Sequence, residues 1–334
     1  MTRTILKYVA RFLILMFAIS IVAFCLVGLS PIDPVQANVG QVAYASLSAS
    51  QKAQLAGYWG SDLNIIQRYI NWLVAVLHGD LGISLRFNMP VSQVIASRCA
   101  NTLLLMLIAW IFSGIIGFVF GIIAGVKKGS IFDKFVKGYC FFLASTPTFW
   151  FGLIMLIVFA VWLGWFPFGF SVPLGKSAAD VTIFDSLQHI VLPAITLSII
   201  GIANIALHTR EKTIDVMESE YMRFAFARGM SRWQALKTHG LRNIALPAMT
   251  LQFASISEIF GGSVLVEQVF SYPGLGQAAV IAGTGGDAAL LVAIALVCAC
   301  IVFFGNTLAD ILYHAIDPRM RRSQSLAKKV AADV

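Results

Sequence analysis

Residues 210–247 read REKTIDVMESEYMRFAFARGMSRWQALKTHGLRNIALP, a polar and basic stretch of 38 residues set between apolar ones. It holds seven of the chain's 24 lysines and arginines, Arg210, Lys212, Arg223, Arg228, Arg232, Lys237 and Arg242, interleaved with Glu211, Asp215, Glu218 and Glu220. Apolar runs flank it at about 190–207 and 246–266, and the pattern repeats outward at 12–29, 102–126, 139–163 and 288–309. A helix needs roughly 20 such residues to cross a bilayer, and an isolated segment in lipid satisfies its own backbone only as a helix. The chain is 58% hydrophobic and 12% charged, whereas soluble domains are about a quarter charged. The ten-residue alternation of an outer-membrane barrel is absent. The expected fold is an all-α polytopic membrane protein with six transmembrane helices.

Nineteen lysines and arginines fall on the side that holds both termini, the second-to-third connection and the 210–247 loop; five fall on the other. The positive-inside bias therefore predicts cytoplasmic termini and a cytoplasmic loop. The net charge of +8 needs no nucleic acid, because topology and attraction to anionic lipid account for it. The first run has the basic flank and apolar core of a signal peptide, but five further spans need it for an even topology, so it is read as retained. The five cysteines show no zinc spacing and read as small buried hydrophobes. The chain divides into a basic flank and first span (1–30), an external segment (31–100), a five-helix core (101–318) and a basic tail (319–334).

Within the external segment, Ile66, Tyr69, Ile70, Leu73 and Leu77 recur at helical spacing, with Trp59 and Trp72 suited to an interface. Asp62, Asn64, Arg68 and Asn71 make this a helix on the outer face rather than a seventh span. Gly114, Gly117, Gly121 and Gly125 form a small-residue stripe that lets helix backbones approach closely. Pro147 lies inside the third run and favours a kink. Gly175-Lys176-Ser177 lacks the earlier glycine of a phosphate loop, Phe170 standing there, and Gly274-Leu275-Gly276 follows a membrane helix with no acid about twenty residues on. No catalytic constellation and no metal-ligand spacing emerges.

In the loop, Glu218 to Arg228 favours a helix, Gly229-Met230-Ser231 breaks it, and Trp233 to Leu241 resumes one, giving two short helices hinged at Gly229. Tyr221, Phe224, Phe226 and Trp233 are large aromatics among charges, a pattern that favours insertion into a partner's cleft.

These residues resemble the cytoplasmic loop of bacterial ABC importer permeases of the dipeptide, oligopeptide and nickel branch. The matching positions are Glu220-Tyr221-Met222-Arg223, Ala225, Ala227-Arg228-Gly229, His239, Arg242-Asn243 and Leu246-Pro247. Phe224 and Phe226 depart from it, standing where the family has a small and a polar residue. The resemblance extends over nearly the whole chain. It includes Ser30 to Val35 (with Ile32 where the family has glycine), Gly79 to Ser84, Pro90-Val91, Asn101-Thr102-Leu103, Leu163 to Pro167, Val266 to Gly276 and Asp317-Pro318-Arg319. It implies the type I importer permease fold in a bacterial cytoplasmic membrane and a second homologous permease, with a heterodimer favoured. It also implies two cytoplasmic subunits that use ATP and Mg, and an external solute-binding protein. This chain would bind no cofactor and catalyse nothing. Its loop, with Trp233 added on its aromatic character, would dock on the ATPase.

Glu258 lies eleven residues past Pro247, which at about 1.5 Å per residue is roughly halfway across. An ionisable group there defaults to a functional role; the resemblance to nickel-type permeases extends to a Glu at this position. Two roles remain open, a pathway group for cationic or metal-containing cargo and a packing residue near Ser255, Ser257, Gly261 and Gly262. The cargo reading is peptides, with nickel or a metal chelate as the alternative. A secondary transporter or channel acting alone is the rival class, and a non-transporting membrane scaffold is the third.

Overall fold

A computed structural model describes residues 2–30, 34–58, 64–173, 175–176 and 180–316. Pro31 to Asp33, Trp59, Asp62, Ser177, the side chain of Asp310 and the tail from Asp317 lie outside them. In chain order the helices are α1 (Thr2–Gly28), α2 (Pro34–Val39), α3 (Gln41–Ser46), α4 (Ala49–Tyr58) and α5 (Ile65–Leu77). A two-stranded hairpin, β1 (Ile83–Ser84) with β2 (Met89–Pro90), precedes α6 (Val91–Val126) and is the one departure from an all-α chain among the described residues. Then come α7 (Ile131–Ala144), α8 (Thr148–Met155) with a π-helical continuation over Leu156–Trp162, and α9 (Ile183–Met217). They are followed by α10 (Glu220–Ala227), α11 (Arg232–Ala235), a π-helical turn over Leu236–Gly240, α12 (Leu241–Ala254), α13 (Ile256–Val269), α14 (Leu275–Thr284) and α15 (Ala288–Ile316).

Four helices are long and apolar enough to cross a membrane: Tyr8–Gly28, Val91–Val126, Ile183–Met217 and Ala288–Ala309. Two bent pairs, Ile131–Ala144 with Thr148–Trp162 and Arg232–Ala254 with Ile256–Val269, make six when each counts as one span. Three expectations need correcting. The third apolar run is not one kinked helix, because α7 and α8 meet at 110°. Pro147 cannot donate to Leu143 and pushes Thr146 away from helical geometry. Thr146 N donates instead to the Leu143 carbonyl that the proline leaves, at 3.1 Å, and Thr146 Oγ1 takes the Phe142 carbonyl so released, at 2.7 Å. Next, residues 210–217 are not loop but the last two turns of α9. Finally, the helix that begins at Arg232 is no separate piece; it runs on as the fifth span, contains Pro247, and bends by 48° at Ser255.

The chain forms two compact units. In the first, residues 1–103 with 271–303, Val91, Val94 and Ile95 pack with Leu275, Ala278, Leu290 and Ile294. Asn101 donates to Pro273 O at 2.9 Å and Thr102 Oγ1 accepts from Leu275 N at 2.8 Å, so two sequence motifs far apart in the chain hold each other. Buried Asp287 accepts from Ser84 Oγ at 2.6 Å and from the backbone of Arg86 and Leu290, pinning the hairpin. Helix α5 lays Tyr69 and Trp72 on Phe24 of α1, and Tyr69 bonds Ser20 at 2.9 Å. Its Ile66, Ile70 and Leu77 stay exposed.

The second unit, residues 104–270 with 304–334, is organised around α6 and α9. A Cβ on Gly117 would lie 2.9 Å from Ile205, one on Gly121 2.5 Å from Thr209, and one on Gly125 2.5 Å from Thr213. The register advances four residues per step on both helices, as close helix crossings require. Gly114 faces Gln252 of α12 instead, at 2.8 Å. Gln252 Nε2 donates to Trp110 O at 2.6 Å and Trp110 Nε1 returns a bond to Gln252 O at 2.7 Å, joining α6 to α12 inside an apolar layer.

Candidate functional site

Four turns of sequence build the 218–240 segment. In α10, Met222 and Ala225 are spaced three apart and buried, packing with Ile122, Val126, Val216, Ala235, Leu236 and Ile244. Phe226 joins that cluster rather than standing free, which corrects its place among the exposed aromatics. Tyr221, Phe224 and Arg228 occupy the opposite face and are exposed, as are Glu220, Arg223, Ala227 and Trp233. The Arg228 guanidinium sits 5.9 Å from the Phe224 ring centre.

Gly229 ends α10 with φ of +85°. Its N–H donates to Phe226 O at 2.9 Å while Met230 N donates to Ala225 O at 3.2 Å. This pair is the Schellman arrangement, whose left-handed residue is normally glycine. Ser231 then caps α11: Gln234 N donates to Ser231 Oγ and Ser231 N to Gln234 Oε1, satisfying two orphan donors reciprocally. Tyr221, Phe224, Ala225, Arg228, Met230 and His239 line a cavity of about 180 Å³. Asn243 Nδ2 donates to Tyr221 Oη at 3.0 Å across its rim, and Arg242 is exposed beside it.

Three links fasten this segment and the end of α9 to the end of α6, the start of α7 and the turn between them. Arg232 Nη1 donates to Val126 O at 3.2 Å, meeting a carbonyl left over at the end of α6. Lys128 pairs with Glu218 at 2.6 Å and holds that carboxyl below its usual range. The depressed carboxyl makes the pair present at neutral pH and lost only as pH falls through that lowered value. Deepest is Arg210, which grips both oxygens of buried Asp133 through Nε and Nη2, the latter at 2.9 Å, and reaches Glu211 through Nη1 at 2.5 Å. Asp133 also accepts from Gly129 N at 2.8 Å.

Asp133 escaped the sequence reading, and Arg210 was counted as a loop charge. The spacing Ser130-x-x-Asp133 before an apolar run is a helix-start signal that locates α7, but nothing local pairs it with a residue 77 positions on.

Glu258 opens α13 just past the bend and is exposed on this chain. Asn204 Nδ2 lies 3.5 Å away. Ser257 donates to Asn306 at 2.9 Å, and a Cβ on Gly261 would meet nothing within 4 Å, so neither serves to bury the carboxylate.

Residues 117–322 match the family described as the binding-protein-dependent transport system inner membrane component. The chain is 35% identical over 307 residues to the oligopeptide transport system permease protein AppB of Bacillus subtilis, covering 92% of this chain and 95% of that one. It is 34% identical to a putative peptide transport system permease protein of Brucella abortus (96% and 99% covered) and 32% identical to the dipeptide transport system permease protein DppB of Escherichia coli (92% and 95%). A loop packed onto the spans and exposing an aromatic and basic face suits a subunit that moves cargo without performing chemistry itself. The chain belongs to the family of binding-protein-dependent transport system inner membrane components, and is an integral inner-membrane permease subunit of such a system.

Proposed function

We propose that this chain lines half of the translocation pathway of an ATP-driven importer of peptides, as the names of its relatives indicate for them. It works beside a second homologous permease, with both termini and the 218–240 segment in the cytoplasm and a solute-binding protein delivering cargo outside. ATP and Mg are used by partner subunits, on which the segment docks. The observation that carries this reading is the two-sided build of α10, with Met222 and Ala225 locked into the spans and Tyr221, Phe224 and Arg228 presented around a cavity. Force applied to the exposed side is thereby passed to α6, α9 and α12.

The test is Gly229→Asp in the complete transporter. A side chain fits sterically, since a Cβ there meets nothing within 4 Å. The left-handed backbone costs about 1–2 kcal/mol for a non-glycine residue, so the protein inserts and accumulates. Uptake is expected to fall to background while the ATPase still hydrolyses ATP. Uptake at the parent rate refutes the docking role, and failure of an ATPase subunit to co-purify with the parent refutes the importer reading.

A further inference from the structure

The membrane-spanning surface of this chain is of two kinds. On α6 the exposed residues include Leu107, Ile111 and Ile115, large and apolar as lipid requires. On α9 the exposed positions from the middle of the helix onward are Asn204, His208, Glu211 and Asp215, spaced i, i+4, i+7 and i+11 along one face. At the bend of the fifth span the exposed positions are Ala254, Glu258 and Gly261, again one face. Asn204 Nδ2 stands 3.5 Å from Glu258 Oε2 and links the two stripes. Asn306 of α15, also exposed, accepts from Ser257 next to them.

Hydrocarbon cannot border such a face. A carboxylate in a span faces protein or a water-filled cavity, and small side chains beside it leave room rather than fill it. Arg210 already draws on Glu211, but among the described residues Glu258 has no ion-pair partner, only an amide. We propose that Asn204, His208 and Glu258 with Ala254 and Gly261 form a wet, electronegative lane along the cargo path, which takes the positively charged end of the cargo, the ammonium of a peptide. This rests on the permease reading and adds to it the surface and the charge that the lane selects.

The experiment uses the complete transporter in membranes, with Ala254→Cys as reporter one turn from Glu258 and Leu107→Cys as the lipid-facing control, each compared with the parent. The probes are two water-soluble methanethiosulfonates, one carrying trimethylammonium and one sulfonate. All rates are taken relative to the same reagent's rate with a small thiol in solution, because the cationic reagent is intrinsically the faster toward a thiolate, and any effect of the carboxylate on the thiol's ionisation then cancels in the ratio. A field of this kind concentrates counter-ions about 10-fold or more, so the cationic reagent is expected to modify Ala254→Cys about 10-fold faster than the anionic one. Adding Glu258→Gln brings the two rates together, and Leu107→Cys stays unmodified. If Ala254→Cys is as inert as Leu107→Cys in a transporter that still imports peptide, the face is closed by lipid or by the second permease and the lane is wrong. A rate ratio unmoved by Glu258→Gln overturns the assignment of the charge. Failure of the permease reading shows separately, as absence of peptide uptake by the parent.

Discussion

Arg210→Ala is expected to destabilise the permease by about 3–5 kcal/mol, the cost of leaving one partner of a buried ion pair alone. Asp133 retains only 1% of its side-chain exposure and Arg210 8%, so water cannot replace the lost guanidinium. The remaining bond from Gly129 neutralises none of the charge. Arg210→Lys recovers only part of the loss, because an ammonium cannot reproduce the planar two-bond grip. Replacing both residues, Asp133→Leu with Arg210→Met, is expected to be milder than either single change, since the desolvation penalty then disappears with the charges. Thermal unfolding of the detergent-solubilised protein measures these variants, with Asp133→Leu and Arg210→Met alone, against the parent. A double variant as unstable as the sum of the singles means that the two side chains do not act as a pair.

Gly121→Val is the second large effect. Its Cβ would lie 2.5 Å from Thr209 Cβ and 2.7 Å from the Ala206 carbonyl oxygen. One of those atoms is backbone, so no rotamer change relieves the contact and α6 must move off α9. Overpacking of this kind costs about 1–3 kcal/mol in a side-chain core, occasionally more. Here the displaced pair of helices also carries Gly117 and Gly125 out of register with Ile205 and Thr213. The amount of folded protein recovered from membranes and its unfolding temperature are expected to fall sharply. Gly261→Val, on a glycine with open space around it, is the matched control and leaves both unchanged.

The placement of apolar residues along the chain announced the helical runs, because lipid imposes helix on any such run and charge placement orders them. The stripe of glycines was visible for the same reason: spacing of small residues is written locally. The errors arose where a polar residue has a distant partner. Arg210 looks solvent-bound from its neighbours, and only the fold brings Asp133 to it; that pairing is what lets α9 run on to Met217. Pro147 announced a disturbance but not its size, since the 110° turn depends on Thr146 turning its N–H to the Leu143 carbonyl that the proline leaves and its hydroxyl to Phe142 O. In the 218–240 segment, aromatic character did not separate Phe226 from Phe224. The difference lies in which face of α10 meets the Met222 cluster, and that is set by packing from α6 and α12.

The π-helical turn at Leu236–Gly240 bears on how such proteins change length over evolution. A π turn is an α-helix that has absorbed one surplus residue, so losing Thr238 would let the helix close into regular form with the faces beyond it unrotated. One residue lost from within Leu241–Ala254 has no such outlet and swings everything after it by about 100°, turning Glu258 from its neighbour Asn204 toward the packed side. Within this helix the tolerance to a one-residue deletion is therefore concentrated in five residues, where the chain can be shortened while the polar face of the fifth span keeps its aim.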